Sequence, residues 1–347
     1  MKVAVVGAGA WGTTLASIVA NDADTWLWAR EAHVVDAIQA RRTNPLFLPG
    51  FSIPPSVRAT RDLAAALDGA DIVVVAVPAQ HVRATLIPAS AAVASDATVV
   101  IATKGIELAT RRRMSEVVSE VLADHDTTAI GVISGPNLAR EVMAGQPTAT
   151  CVAFAEPNRA AQVRDLLMSD PLRVYTSDDV VGCEVGGAAK NVIAIAAGVA
   201  DGLGYGLNTK ATVVARGLAE LTRLGVALGG RPLTFLGLAG IGDLVATCSS
   251  PLSRNRSLGE ALGRGTSLRT ALAAGLSVPE GVQTAPALVA MSSDVDVEMP
   301  IVTAVADLLH GGIGVDDMVA RLMRRSPKAE LHGLGIEISE QEPSCVK

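Results

Sequence analysis

The sequence predicts an α/β chain in which a doubly wound, mainly parallel sheet is followed by an all-α region. Three observations carry this. A short apolar strand at residues 3–6 runs into glycines at Gly7, Gly9 and Gly12, and a helix-compatible run follows at residues 13–20. From residue 2 to about 180, short apolar runs alternate with amphipathic stretches, the pattern of strands joined by crossover helices. From about residue 182 the short runs stop, and long helix-compatible segments with glycine-rich breaks take over.

The expected strands lie at residues 3–6, 25–28, 72–77, 99–102, 129–133 and 149–152. Amphipathic stretches at 31–41, 62–67 and 114–122 supply helices between them. Residues 72–77 are apolar without alternation, as in a strand covered on both faces. Residues 44–55 hold four prolines and read as an irregular excursion. The second half offers helices at 183–200, 209–228, 258–262, 267–274, 282–291 and 300–309, with no internal repeat. This organisation divides the chain into a dinucleotide-binding domain at 1–181, a helical substrate domain at 182–330 and a peripheral, mixed-charge tail at 331–347.

The opening glycines stand at G-x-G-x-x-G spacing. Gly7 permits a tight turn, Gly9 lets backbone approach a pyrophosphate, and Gly12 lets the helix pack close to the strand. The helix N-terminus adds N–H groups and partial positive charge. The spacing alone is weakly specific, since a structural turn also uses glycine. One lysine before an Ala-rich apolar stretch also fits a secretory signal peptide. Three glycines disfavour that helix, each by about 1 kcal/mol against alanine.

The chain has 347 residues, is 49% hydrophobic and carries a formal net charge of −6, which argues against a nucleic-acid partner. Small anionic substrates stay open, because a local Lys/Arg cluster overrides a global sign. No uninterrupted apolar stretch reaches the roughly 18 residues of a bilayer span, so stable membrane insertion is not expected. Cys151, Cys183, Cys248 and Cys345 are widely spaced, which suits free thiols in a reducing cytoplasm and no metal site.

Ligands of such sheets bind beyond the carboxyl ends of the strands. After residue 28 come Arg30 and Glu31; an acidic residue there suits a ribose hydroxyl, an arginine a 2′-phosphate, and Glu31 also suits a solvated helix start. After residue 77 comes Pro78, then, after the next strand, Lys104 beside Gly105. Ser134, Gly135, Pro136 and Asn137 follow another, as an ordinary turn or a ligand contact.

Lys190 is the second informative position, a lysine in a helix of small and apolar residues. Gly186 and Gly187 precede it by one turn, and Asn191 is its neighbour. Burial lowers a lysine pKa and makes the ammonium a proton donor near neutral pH; the alternative is a side chain snorkelling to the surface. Asp243 stands between apolar residues, as a helix N-cap or a functional carboxylate. Ser253, Arg254, Asn255 and Arg256 form a basic cluster suited to phosphate.

With these residues in view, the chain resembles the bacterial-type NAD(P)-dependent glycerol-3-phosphate dehydrogenases. The matching strings begin at Gly7, Ala102, Ile133, Gly186, Gly237, Ser253 and Val278, in the family's order. The resemblance implies a Rossmann-like domain followed by a helical domain, with the active site between them. It implies NAD- or NADP-dependent reduction of dihydroxyacetone phosphate to sn-glycerol 3-phosphate, supplying glycerophospholipid synthesis, in a cytoplasmic homodimer. Lys190 is the implied catalytic acid/base. Lys104, Gly135, Asn137, Asn191, Asp243, Thr247, Ser253, Arg254 and Asn255 match substrate positions. Gly7, Gly9, Ala10, Trp11, Gly12, Arg30, Pro78, Ala139, Val278 and Glu280, with Lys104 and Arg254, match cofactor positions. Ala10 replaces a frequent serine, Asn137 stands where a small hydroxyl residue is usual, and Arg30 beside Glu31 leaves the cofactor choice open. A two-domain hydroxy-acid dehydrogenase and a non-catalytic NAD(P) sensor are the rival readings. The Ser253–Arg256 cluster opposes the first, and Lys190, Asn191 and Asp243 together oppose the second.

Overall fold

A computed structural model describes residues 1–273, 278–330 and 332–333. Its strands are β1 (Lys2–Val6), β2 (Asp24–Trp28), β3 (Thr43–Asn44), β4 (Leu48–Ser52), β5 (Arg58–Thr60), β6 (Ile72–Val75), β7 (Thr98–Ile101), β8 (Ile130–Ser134), β9 (Thr148–Ala153) and β10 (Leu172–Ser177). Eight of them form one sheet in the order β10-β9-β8-β7-β6-β1-β2-β5. β1 lies inside it, with Val6 opposite Trp28 on one side and Val75 on the other, both pairings parallel. Residues 2–6 of the stretch that resembled a signal peptide are therefore built into the sheet interior, and α1 follows. β6, β7 and β8 continue in parallel.

Alternate residues of β1 feed two cores. Val3 and Val5 pack with Leu15, Ile38 and Val163 on one face, while Ala4 and Val6 pack with Leu86, Val117 and Ile101 on the other. All four residues of β6 are buried, as their unbroken apolar run requires.

Three features depart from the expected sheet. β9 runs antiparallel to β8, with Ser134 opposite Cys151, and β10 follows β9 in parallel. The segment between β8 and β9 contains only the five-residue helix Ala139–Met143, and the chain turns back instead of crossing over. β5 and β10, both at sheet edges, were not expected. The proline-rich excursion contains the hairpin of β3 and β4.

The helices of the first half are α1 (Ala10–Val19), α2 (Ala32–Arg41), α3 (Leu63–Leu67), α4 (Val82–Leu86), α5 (Met114–Val121), α6 (Ala139–Met143) and α7 (Pro157–Leu167). Then follow α8 (Val180–Gly202), α9 (Leu207–Ala227), α10 (Asp243–Ser249), α11 (Arg254–Gly263), α12 (Leu268–Ala273), α13 (Glu280–Asp294), α14 (Pro300–Leu309) and α15 (Val315–Met323). The expected 267–274 helix ends at Ala274, outside the described residues, as does most of the 331–347 tail. α7, α10 and α15 are additions to the sequence reading.

α8 is the axis of the helical half, surrounded by α9, α10, α11, α13 and α14. Its length and mean hydropathy of 1.4 would suit a bilayer, but 83% of its apolar window is buried inside the protein. Glycines of α8 and of the neighbouring α11 are contact points between the two helices. A Cβ on Gly198 would stand 2.0 Å from the Arg256 carbonyl oxygen, and one on Gly259 would stand 2.0 Å from that of Ile195. α8 and α11 thus touch backbone to backbone.

Candidate active site

The glycine turn has the geometry its spacing predicts. Gly7 has φ +117°, and a Cβ on Gly12 would lie 1.9 Å from the Gly7 carbonyl oxygen. Around Gly9 no atom lies within 4 Å of a Cβ position, and Gly9 caps α1 without a side-chain acceptor. The first-turn amides are therefore left to an anion. Ala10 opens α1 and supplies no hydroxyl. Asn44, fully buried, donates to the Ala8 carbonyl at 2.8 Å and to Thr13 Oγ1 at 2.9 Å, pinning the turn from the hairpin. Sequence reasoning missed Asn44, because it lay in the supposed excursion.

Arg30 lies on the surface with its guanidinium on Glu31, 2.7 Å away. The two groups that suggested opposite cofactor preferences are thus one exposed pair. Pro78 precedes a short 3-10 turn, Ala79–His81. Gln80 of that turn donates to the Ile106 carbonyl at 2.7 Å and accepts from the Leu108 amide at 2.9 Å. It thereby clamps the Lys104–Gly105 loop to the end of β6.

One carboxylate joins the two lysines. Lys190 Nζ donates to Asp243 Oδ1 at 2.5 Å and to Thr247 Oγ1 at 2.8 Å. Lys104 Nζ donates to Asp243 Oδ2 at 2.8 Å and to the Gly135 carbonyl at 2.8 Å. Lys190 is 7% exposed and Asp243 1%, so Lys190 does not snorkel. The N-cap position of α10 belongs to Gly242, and Asp243 turns its carboxylate inward from the first helical turn. Burial lowers the Lys190 pKa to about 8; the Lys104 charge pushes the same way, while Asp243 opposes. Gly187 makes the approach of α8 possible, since a Cβ there would lie 2.8 Å from Ser134 Oγ and 3.4 Å from Lys104 Cγ.

A polar chain continues along α8. Asn255 Nδ2 donates to Asn191 Oδ1 at 3.0 Å, and Asn255 Oδ1 accepts from the Gly281 amide at 2.9 Å. Ser253 caps α11 by accepting from the Arg256 amide at 3.2 Å. Arg256 is no phosphate ligand in this arrangement; it is held by Asp201 at 2.6 Å and Glu260 at 3.2 Å. Arg254 acts on Glu280, whose carboxyl is raised to about 7 by burial against the pull of Arg254 and the Ala79 amide. A Cβ on Gly105 would lie 3.4 Å from Glu280 Oε2 and 3.5 Å from Thr284 Oγ1. Val278 is exposed just ahead of α13. Asn137 Nδ2 donates to Thr150 Oγ1 at 3.0 Å, and Ala139 begins α6, which packs against α1.

Among the described residues, the buried side-chain atoms without a hydrogen-bond partner are Trp11 Nε1, Ser134 Oγ, Asn137 Oδ1, Glu280 Oε2, Thr284 Oγ1, and Nε and Nη1 of Arg223. Native interiors pair nearly all such groups. Those outside Arg223 lie on the glycine turn, the strand-end loops and the facing start of α13. They fit a ligand with many polar atoms, as a dinucleotide is. Thr284 joins the site from the structure, and Ser134, which the sequence offered as a turn or a ligand contact, is among the unpaired groups.

The expected family can now be tested. Sequence models described as the N-terminus and C-terminus of NAD-dependent glycerol-3-phosphate dehydrogenase match residues 2–160 and 179–320. A Corynebacterium aurimucosum protein named glycerol-3-phosphate dehydrogenase [NAD(P)+] is 49% identical over 331 residues, covering 95% of this chain and 99% of that one.

The chain belongs to the NAD-dependent glycerol-3-phosphate dehydrogenase family.

A Mycobacterium tuberculosis (strain ATCC 25618 / H37Rv) relative, glycerol-3-phosphate dehydrogenase [NAD(P)+] 2, is 49% identical and covers 94% of this chain and 98% of its own. The crystal structure of glycerol-3-phosphate dehydrogenase from Coxiella burnetii superposes with a TM-score of 0.89 at 35% identity, covering 93% of this chain and 99% of that one. All seven strings that carried the resemblance fall inside the two segments matched to the dehydrogenase family.

Proposed function

We propose that the chain catalyses reversible reduction of dihydroxyacetone phosphate to sn-glycerol 3-phosphate with NADH or NADPH. The observation that carries this is the buried bridge Lys190–Asp243–Lys104, set where the strand-end loops face the helices. Residues 1–181 hold the cofactor, residues 182–330 shape the substrate side, and the 331–347 tail is peripheral.

When bound, the nicotinamide supplies hydride to C2 of the substrate. Lys190 gives its proton to the oxygen at C2, and Asp243 with Thr247 keeps the ammonium aimed there. Lys104 places a second positive charge beside that oxygen while it emerges as an anion. Arg254 takes the substrate phosphate, aided by Asn255 and Ser253, and Asn191, Gly135 and Asn137 fix the rest of the molecule. Gly7, Gly9, Ala10, Trp11 and Gly12 receive the cofactor pyrophosphate, Arg30 a 2′-phosphate, and Pro78, Ala139, Val278 and Glu280 its remaining parts. A small phosphorylated substrate, a homodimer and a reducing cytoplasm complete the proposal, with the product entering glycerophospholipid synthesis.

The test follows oxidation of NADH and of NADPH with dihydroxyacetone phosphate, using unphosphorylated dihydroxyacetone as control. Robust turnover of the phosphate ester alone is expected, and Lys190→Met should bind cofactor yet lose at least about a hundredfold in kcat, the usual scale of a general acid. Equal use of both ketones would remove the phosphate anchor, and near-normal turnover by Lys190→Met would remove the proton donor.

A further inference from the structure

The remaining orphan atoms belong to Arg223 of α9, which lines a cavity of about 540 Å³ bounded by α8, α9, α15 and the segment after α15. That volume lies within the roughly 300–1,000 Å³ of small-molecule sites. Its walls are largely apolar, with Val199, Val213, Met318 and Leu322 facing inward. Arg223 is 8% exposed and spends one donor, Nη2, on the Glu298 carbonyl at 3.2 Å. Among the described residues its Nε and Nη1 have no hydrogen-bond partner.

Glu220 and Glu298 act on the Arg223 charge without hydrogen-bonding its guanidinium through their carboxylates, which hold other partners. Glu220 caps α14, accepting from the Ile301 amide at 2.8 Å and the Val302 amide at 3.2 Å. Glu298 holds both Arg325 at 2.9 Å and Lys328 at 2.6 Å. By formal charge, with His332 neutral, the lining carries the cations Arg216, Arg223, Arg325 and Lys328 against the carboxylates Glu220, Glu298 and Glu330, four positive against three negative. The surplus is one charge. In the crevice, orphaned polar atoms mark where a ligand belongs; the same criterion applies to Arg223.

We propose that this cavity binds an unbranched aliphatic carboxylate, its head on Arg223 and its chain along α8, α9 and α15. One negative charge matches the surplus, and the apolar walls match a hydrocarbon chain.

Calorimetric titration of the full chain with decanoate, below its micelle concentration, tests this against decanol of equal chain length. Decanoate should bind at least about tenfold more tightly than decanol, the scale of a charge-assisted hydrogen bond. Arg223→Met should erase that preference while keeping the wild-type circular dichroism spectrum. Should Arg223→Met fail to fold, Leu322→Trp decides: it fills the cavity, leaves Arg223 in place, and should abolish decanoate binding. Equal binding of the two probes, binding of neither, full decanoate affinity in Arg223→Met, or full affinity in Leu322→Trp would each overturn the proposal.

Discussion

The role proposed for Lys190 ties the reaction to a pH range. Its pKa of about 8 arises mainly from burial, so at neutral pH the amine is largely protonated and ready to donate. Reduction needs the protonated form and oxidation the neutral one. In the free enzyme, kcat/KM for dihydroxyacetone phosphate reduction should therefore fall about tenfold per pH unit above 8, while kcat/KM for glycerol 3-phosphate oxidation should rise up to about 8 and level off. Steady-state rates between pH 7 and 9.5 check this; a reduction profile flat across that span would assign the proton to another group. The lysine itself was legible, because an ammonium among small apolar side chains stands out. Its partner was not. Asp243 read equally as a helix cap, and only the inward turn of α10 brings it onto two lysines 53 and 139 residues away.

At the scale of elements, continuous apolar runs were legible and edge strands were not. β6 declares itself by four buried residues in a row. β10 alternates buried and exposed positions until its last two residues, and β5 has three residues. Their direction and pairing come from connections that local sequence does not encode. The contact made through Gly198 and Gly259 was not legible for a related reason: a contact between helices is invisible when each is read alone. Gly259→Ala tests the contact against helix propensity alone. Alanine favours a helix by about 1 kcal/mol over glycine, so propensity alone would stabilise the variant. Here the new Cβ meets the Ile195 carbonyl, a backbone atom that cannot rotate away. Urea unfolding should show a net loss of about 1–3 kcal/mol. KM for dihydroxyacetone phosphate should rise as well, because α11 sets Asn255 against Asn191.

Across the whole molecule, the two halves are joined by charge at the proposed catalytic site. Asp243 of the helical half bonds Lys104 of the sheet half, and Arg113 beside α5 reaches Glu184 of α8 at 2.9 Å. Asp243 thus has two tasks, holding the crevice together and keeping Lys190 charged. Asp243→Asn separates them by pH. Without the carboxylate, two ammonium groups face each other in a poorly hydrated space, and removing one partner of a buried pair costs roughly 3–5 kcal/mol. Lys190 relieves that strain by losing its proton, because the group that held its pKa up is gone. The reduction limb of the pH profile should therefore move below pH 8. The stability deficit against the wild type should be largest near pH 7 and shrink towards pH 9.5, where Lys190 is neutral in both proteins. Unfolding free energies measured at both pH values read this directly. A deficit that stays constant with pH would mean that Asp243 only braces the two halves and leaves the Lys190 proton untouched.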